Sequence, residues 1–140
     1  MFCIFLLLLS SWIEITYARG ANSHMIKRVQ CHPKFTVAFK AYFTCNGDPF
    51  SPDRLDIYQK PAFSVFGKGI CRPNVPYTKG SFVNLKYTGE APSSNYILYL
   101  KTTGTCNGKK EVKYNEFDDD DVGCNGRAKK THDFGIIAFK

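Results

Sequence analysis

Cysteine stands directly before an Asn-Gly pair three times in this chain, as Cys45-Asn46-Gly47, Cys106-Asn107-Gly108 and Cys124-Asn125-Gly126. Cysteine chemistry has three outlets: a disulfide, a metal site or a nucleophilic thiolate. A metal site fits poorly, because no Cys-x-x-Cys pair occurs and the only histidines are His24, His32 and His132. A nucleophilic thiolate would need His132 or His32 held beside a free thiol. No Gly-x-Ser-x-Gly elbow is present either, so no enzyme is expected. No cofactor motif is seen. The acidic run Asp118 to Asp121, with Glu116, has the carboxylates that a hard cation wants. It lacks the glycine-punctuated alternation of a calcium loop. The expectation is therefore a solvated acidic loop and no metal.

The compartment decides between these outlets. An apolar run from Phe2 to Leu9 precedes Thr16-Tyr17-Ala18, a small-x-small cleavage signal, so residues 1–18 read as a secretory leader. That run is too short to span a bilayer, and no later segment is apolar for long enough, so no transmembrane segment is expected. Secretion to an oxidising, extracellular space follows. Cys3 leaves with the leader, and Cys31, Cys45, Cys71, Cys106 and Cys124 should form two disulfides with one thiol over. Spacing alone does not fix which cysteines pair.

The formal net charge of the whole chain is +7. The leader holds one acid, Glu14, and no base, so the remainder carries 19 basic and 12 − 1 = 11 acidic residues, or +8. An excess of this sign attracts phosphates, sulfates and acidic surfaces. It is scattered along the chain and no nucleic-acid-binding motif accompanies it, so nucleic acid is not the expected partner. Lys109 and Lys110 follow one Asn-Gly turn; Arg127, Lys129 and Lys130 follow another. If the two turns share an end of the fold, these five cations make a basic edge for lipid head groups, sulfated glycans or an acidic protein.

The elements that must position these residues are strands. In KFTVAFKAYFT, Phe35, Val37, Phe39, Ala41 and Phe43 share one face, and Thr36, Lys40, Tyr42 and Thr44 the other. Residues 54–59 place Leu55 and Ile57 on one side, and 62–66 form a short apolar run behind Pro61. Residues 81–88 alternate Val83, Leu85 and Tyr87 against Asn84 and Lys86. Residues 95–103 are apolar on both faces through Leu100, which marks a central strand. Runs over 111–115 and 133–139 complete about seven strands, and 116–121 has room for one helical turn. Residues 19–34 read as an N-terminal arm before a single domain over 35–140. Asn-Gly suits a two-residue hairpin turn, because both central positions must accept positive φ. The class is an all-β, disulfide-stabilised sandwich.

With these strands in place, the chain resembles the nematode transthyretin-like family of secreted proteins. AYFTCNGDPFSPDRLDIYQK (41–60) is similar to that family's opening strand, Cys-Asn-Gly-x-Pro turn and second strand. KGSFVNLKYTG (79–89), APSSNYILYLKTTGTCNGKKEVKY (91–114) and KKTHDFGIIAFK (129–140) resemble its later segments in order. The resemblance implies a transthyretin-like β-sandwich, a non-catalytic extracellular role and a bond between Cys45 and Cys106. Cys31, Cys71 and Cys124 then supply one further pair. Gly104 stands where the family has a histidine. The expected function is recognition of an extracellular protein or membrane surface, extending to another organism's tissue if the source is parasitic. Carriage of a small apolar ligand between the sheets is the second expectation.

Overall fold

The computed structural model describes residues 31–61, 75–91 and 96–140, together with the backbone of 70–72. The leader, residues 19–30 of the arm and the short run at 62–66 lie outside the described residues. The described chain is all-β, with one 3₁₀ turn at Asp119–Asp121 and no α-helix. No described helix is long and apolar enough to cross a membrane.

Among the described residues, eight strands form two four-stranded sheets. The first contains β1 (Lys34–Cys45), β2 (Asp48–Pro49), β5 (Phe82–Glu90) and β8 (Thr131–Phe139). The second contains β3 (Arg54–Pro61), β4 (Ile70–Arg72), β6 (Tyr96–Cys106) and β7 (Lys109–Glu116), in the order β4-β3-β6-β7. β1 pairs antiparallel with β5 and parallel with β8 over overlapping residues, so these two strands lie on its opposite edges. β6 is an inner strand between β3 and β7, as its two apolar faces require. The two-residue β2 and three-residue β4 are too short to leave a period in the sequence.

The period-two pattern is realised as burial. Phe35, Val37, Phe39, Ala41 and Phe43 are at most 1% exposed. They share one core with Leu55 and Ile57 of β3, Leu98 and Leu100 of β6, and Ile137 and Phe139 of β8. Removing each large side chain from water stabilises the fold by about 2–3 kcal/mol. Phe117, just after β7, completes the filling; its ring meets Phe39 and Phe134 edge-on at 5.6 and 4.9 Å. The sheets thus cover a common apolar layer in a β-sandwich-like arrangement.

Among the described residues, two disulfides hold the ends. Cys45 and Cys106 are bonded, with Cα atoms 5.7 Å apart, and join the end of β1 to the end of β6 across the two sheets. Each sits immediately before a two-residue hairpin turn: Asn46-Gly47 (φ 49° and 85°) and Asn107-Gly108 (φ 52° and 76°). Cys31 and Cys124 form the second bond, with Cα atoms 5.3 Å apart. Cys31 is buried, and its carbonyl accepts a 2.9 Å hydrogen bond from the Tyr96 hydroxyl. Burial raises the Tyr96 pKa, so the phenol keeps the proton it donates. At the end of the expected arm, Cys31 is bonded to Cys124 and the exposed Lys34 opens β1. Cys71 lies in β4, its Cα opposite that of Tyr58.

Candidate functional site

The five cations of the expected basic edge do not share an end of the fold. Lys109 pairs with Cys106 beside the Cys45–Cys106 bond, on the second sheet. Arg127, Lys129 and Lys130 precede Thr131, which lies opposite Ala38 of β1, and β8 then runs parallel to β1 until Phe139 reaches Cys45. Seven residue steps separate those two positions, roughly 23 Å at about 3.3 Å per residue. The expectation rested on likeness of the turns. What it lacked was the parallel β1–β8 pairing, which sends the two turns to opposite ends.

Arg127, Lys129 and Lys130 instead meet a cation absent from the expected set. On the outward face of the first sheet, Lys86 of β5, Ala38 of β1 and Thr131 of β8 form one row across three strands. With Arg127, Lys129 and Lys130 they line a shallow cleft of about 390 Å³. Ala38 gives the cleft a small floor. Lys86, Arg127 and Lys129 are exposed and make no ion pair among the described residues.

The loop bearing these cations is held at several points. Gly123 pairs with Thr36 through two backbone hydrogen bonds, at 2.8 and 2.9 Å. A Cβ at Gly123 would sit 1.7 Å from the Arg127 carbonyl oxygen, so only glycine permits this close approach. Cys124 is bonded to Cys31, and Asn125-Gly126 (φ 60° and 78°) makes the third Asn-Gly reversal, closed by a hydrogen bond from Arg127 N to Cys124 O at 3.4 Å.

The acidic run departs from the solvated loop expected of it. Asp118 is exposed and caps the 3₁₀ turn, accepting from the Asp120 amide at 3.1 Å. Asp121 is only 4% exposed. Its Oδ2 accepts from His132 Nδ1 at 2.7 Å and its Oδ1 lies 3.5 Å from Lys130 Nζ. Burial of the carboxylate is tolerated because it finds these two partners, and the His132 ring is itself packed against Phe117 and Phe134. Among the described residues, no group of three or more His, Cys, Asp and Glu side chains is arranged to hold a metal.

His132 thus has an orienting carboxylate but no nucleophile bonded to it among the described residues. Cys31, Cys45, Cys106 and Cys124 are in disulfides and offer no thiolate. Between the sheets, the side chains of Phe35, Phe39, Phe43, Tyr96, Phe117 and Phe139 are buried. Gly104 is also explained: a Cβ there would come within 2.8 Å of the Phe50 ring, which packs on Phe139.

A chemical capacity for anions results: three exposed cations converge on a concave surface, with a backbone-anchored loop to hold them. Comparison with known proteins finds no matching family model, no matching curated protein and no matching solved structure.

Proposed function

We propose that this chain is a secreted, non-enzymatic binding protein of the transthyretin-like type, which recognises an anionic extracellular surface through the cleft of Lys86, Arg127 and Lys129. The observation that carries the reading is the convergence of these cations around Ala38, with none neutralised by a neighbouring acid among the described residues. Lys130 plays a different part, turned toward Asp121. The two-sheet architecture and the Cys45–Cys106 bond support the transthyretin-like sandwich, since that pair is the one the family resemblance implies. The two bridges also suit an oxidising compartment.

The test is retention on a heparin column at low ionic strength. The triple variant K86Q/R127Q/K129Q is expected to elute at markedly lower salt than the unsubstituted protein, while K109Q/K110Q shifts far less. Equal loss from both variants would reduce the effect to net charge and remove the cleft from the mechanism.

A further inference from the structure

The outward face of the first sheet carries a second feature, four residues along β1 from the cleft. Phe82 of β5, Tyr42 of β1 and Ile136 of β8 stand in one row, each the Cα partner of the next. Their relative exposures are 43%, 52% and 68%. A solvated sheet face ordinarily presents polar residues, so three neighbouring apolar side chains in water mark a contact surface. The Phe82 and Tyr42 rings stack on each other, centroids 4.6 Å apart. Tyr42 and Ile136 continue, with Pro49, into an apolar depression of about 400 Å³.

The row and the cleft point the same way. Tyr42 and Ala38 are separated by an even number of residues on one strand, so both lie on the outward face, roughly 13 Å apart at about 3.3 Å per step. Between them stand Asn84, Lys40 and Asp133. The Asp133 carboxylate is matched by Lys40 at 3.4 Å, so no uncompensated acid interrupts this stretch of the face.

We propose that this face docks on an anionic phospholipid bilayer, with Phe82, Tyr42 and Ile136 entering the interfacial layer while Lys86, Arg127 and Lys129 lie over the head groups. The inference rests on the cleft of the preceding subsection and adds the chemical class of its partner. A planar surface reaches both features at once, and the pairing of exposed aromatic and aliphatic side chains with lysine and arginine is the composition that interfacial binding requires. A sulfated glycan would satisfy the cations and leave the apolar row in water.

Flotation with phosphatidylglycerol–phosphatidylcholine vesicles, against pure phosphatidylcholine, tests the proposal. The unsubstituted protein is expected to float with the anionic vesicles. K86Q/R127Q/K129Q should lower the partition coefficient by roughly a hundredfold, at about one factor of five per cation. Y42S/F82S/I136S should lower it by about tenfold or more, with heparin retention unchanged. Near-native circular dichroism and an unchanged thermal transition establish that both variants fold. The variant F82W should show blue-shifted emission and quenching by brominated lipid on the vesicles; the sequence's one other tryptophan, Trp12, leaves with the leader and adds no background.

Vesicle binding undiminished in Y42S/F82S/I136S, or unshifted indole emission from vesicle-bound F82W, would overturn bilayer docking and leave the anionic cleft standing. Heparin retention without flotation would do the same, in favour of a glycan or an acidic protein. Absence of both would overturn the cleft as well.

Discussion

Asp121 Oδ2 accepts a 2.7 Å hydrogen bond from His132 Nδ1, and the pair closes the base of the loop that carries Arg127, Lys129 and Lys130. Lys130, at the end of the loop just before β8, lies 3.5 Å from the other carboxylate oxygen. A single buried acid thus joins the two strand-side ends of the loop, beside the anchors at Gly123 and Cys124.

Asp121→Ala leaves His132 without its acceptor, and loss of one partner of a buried pair is expected to destabilise by about 3 kcal/mol. Urea denaturation should show this as a lower midpoint with an unchanged slope. Heparin retention should also weaken, because the loop is no longer clamped. A midpoint within experimental error of the parent would show that the pair contributes nothing.

Gly123→Ala is expected to be more harmful than an exposed-turn substitution, since its Cβ would overlap the Arg127 carbonyl at 1.7 Å. The backbone must move, and the two hydrogen bonds to Thr36 move with it. A loss of about 2–3 kcal/mol is expected from overpacking against main chain. Gly80→Ala, where nothing lies within 4 Å, serves as the control in the same melting experiment.

The two bridges differ in the loops they close, 61 residues for Cys45–Cys106 and 93 for Cys31–Cys124. Chain entropy then assigns about 4 kcal/mol to the first and slightly more to the second. Replacing each pair by serine and comparing thermal unfolding should give losses of similar size. A Cys31–Cys124 loss below about 1 kcal/mol would contradict the entropic account.

Two surface carboxylates, the half-buried Glu111 and the exposed Asp133, are held below their ordinary pKa values. For Glu111 the first cause is the hydrogen bond it accepts from the Lys140 amide, and for Asp133 the one from the Gly135 amide; Lys113 and Lys40 add to these. A depressed carboxylate pKa stabilises the fold above the unfolded-state value, and the contribution is lost as pH falls through the folded value. Side-chain carboxyl titration by NMR should give midpoints below 4.5 for Glu111 and below 3.8 for Asp133. Lys40→Met should raise the Asp133 midpoint.

Much of this framework is written in local pattern. The alternation from Phe35 to Phe43 is legible because one face is wholly buried and the other is not, and two of the Asn-Gly pairs close hairpins because asparagine and glycine tolerate the required positive φ. What escaped reading is non-local. The parallel pairing of β8 with β1 leaves no trace in either segment, so the separation of Lys109 from Arg127 was hidden, as was the approach of Lys86. Asp121 is chemically indistinguishable from Asp120 in the sequence. Only the fold selects which carboxylate turns inward to His132.

The β1–β8 pairing also bears on how the chain acquires its shape. One edge of β1 can find its partner only after the ribosome has released the segment ending at Phe139, which lies nearly a hundred positions downstream of Cys45. Until then that margin stays open to any extended peptide nearby. Assembly should consequently be slow for a chain of this size, since long-range strand docking must precede most of its reward. Truncation before Ile136 should yield a nascent product prone to self-association.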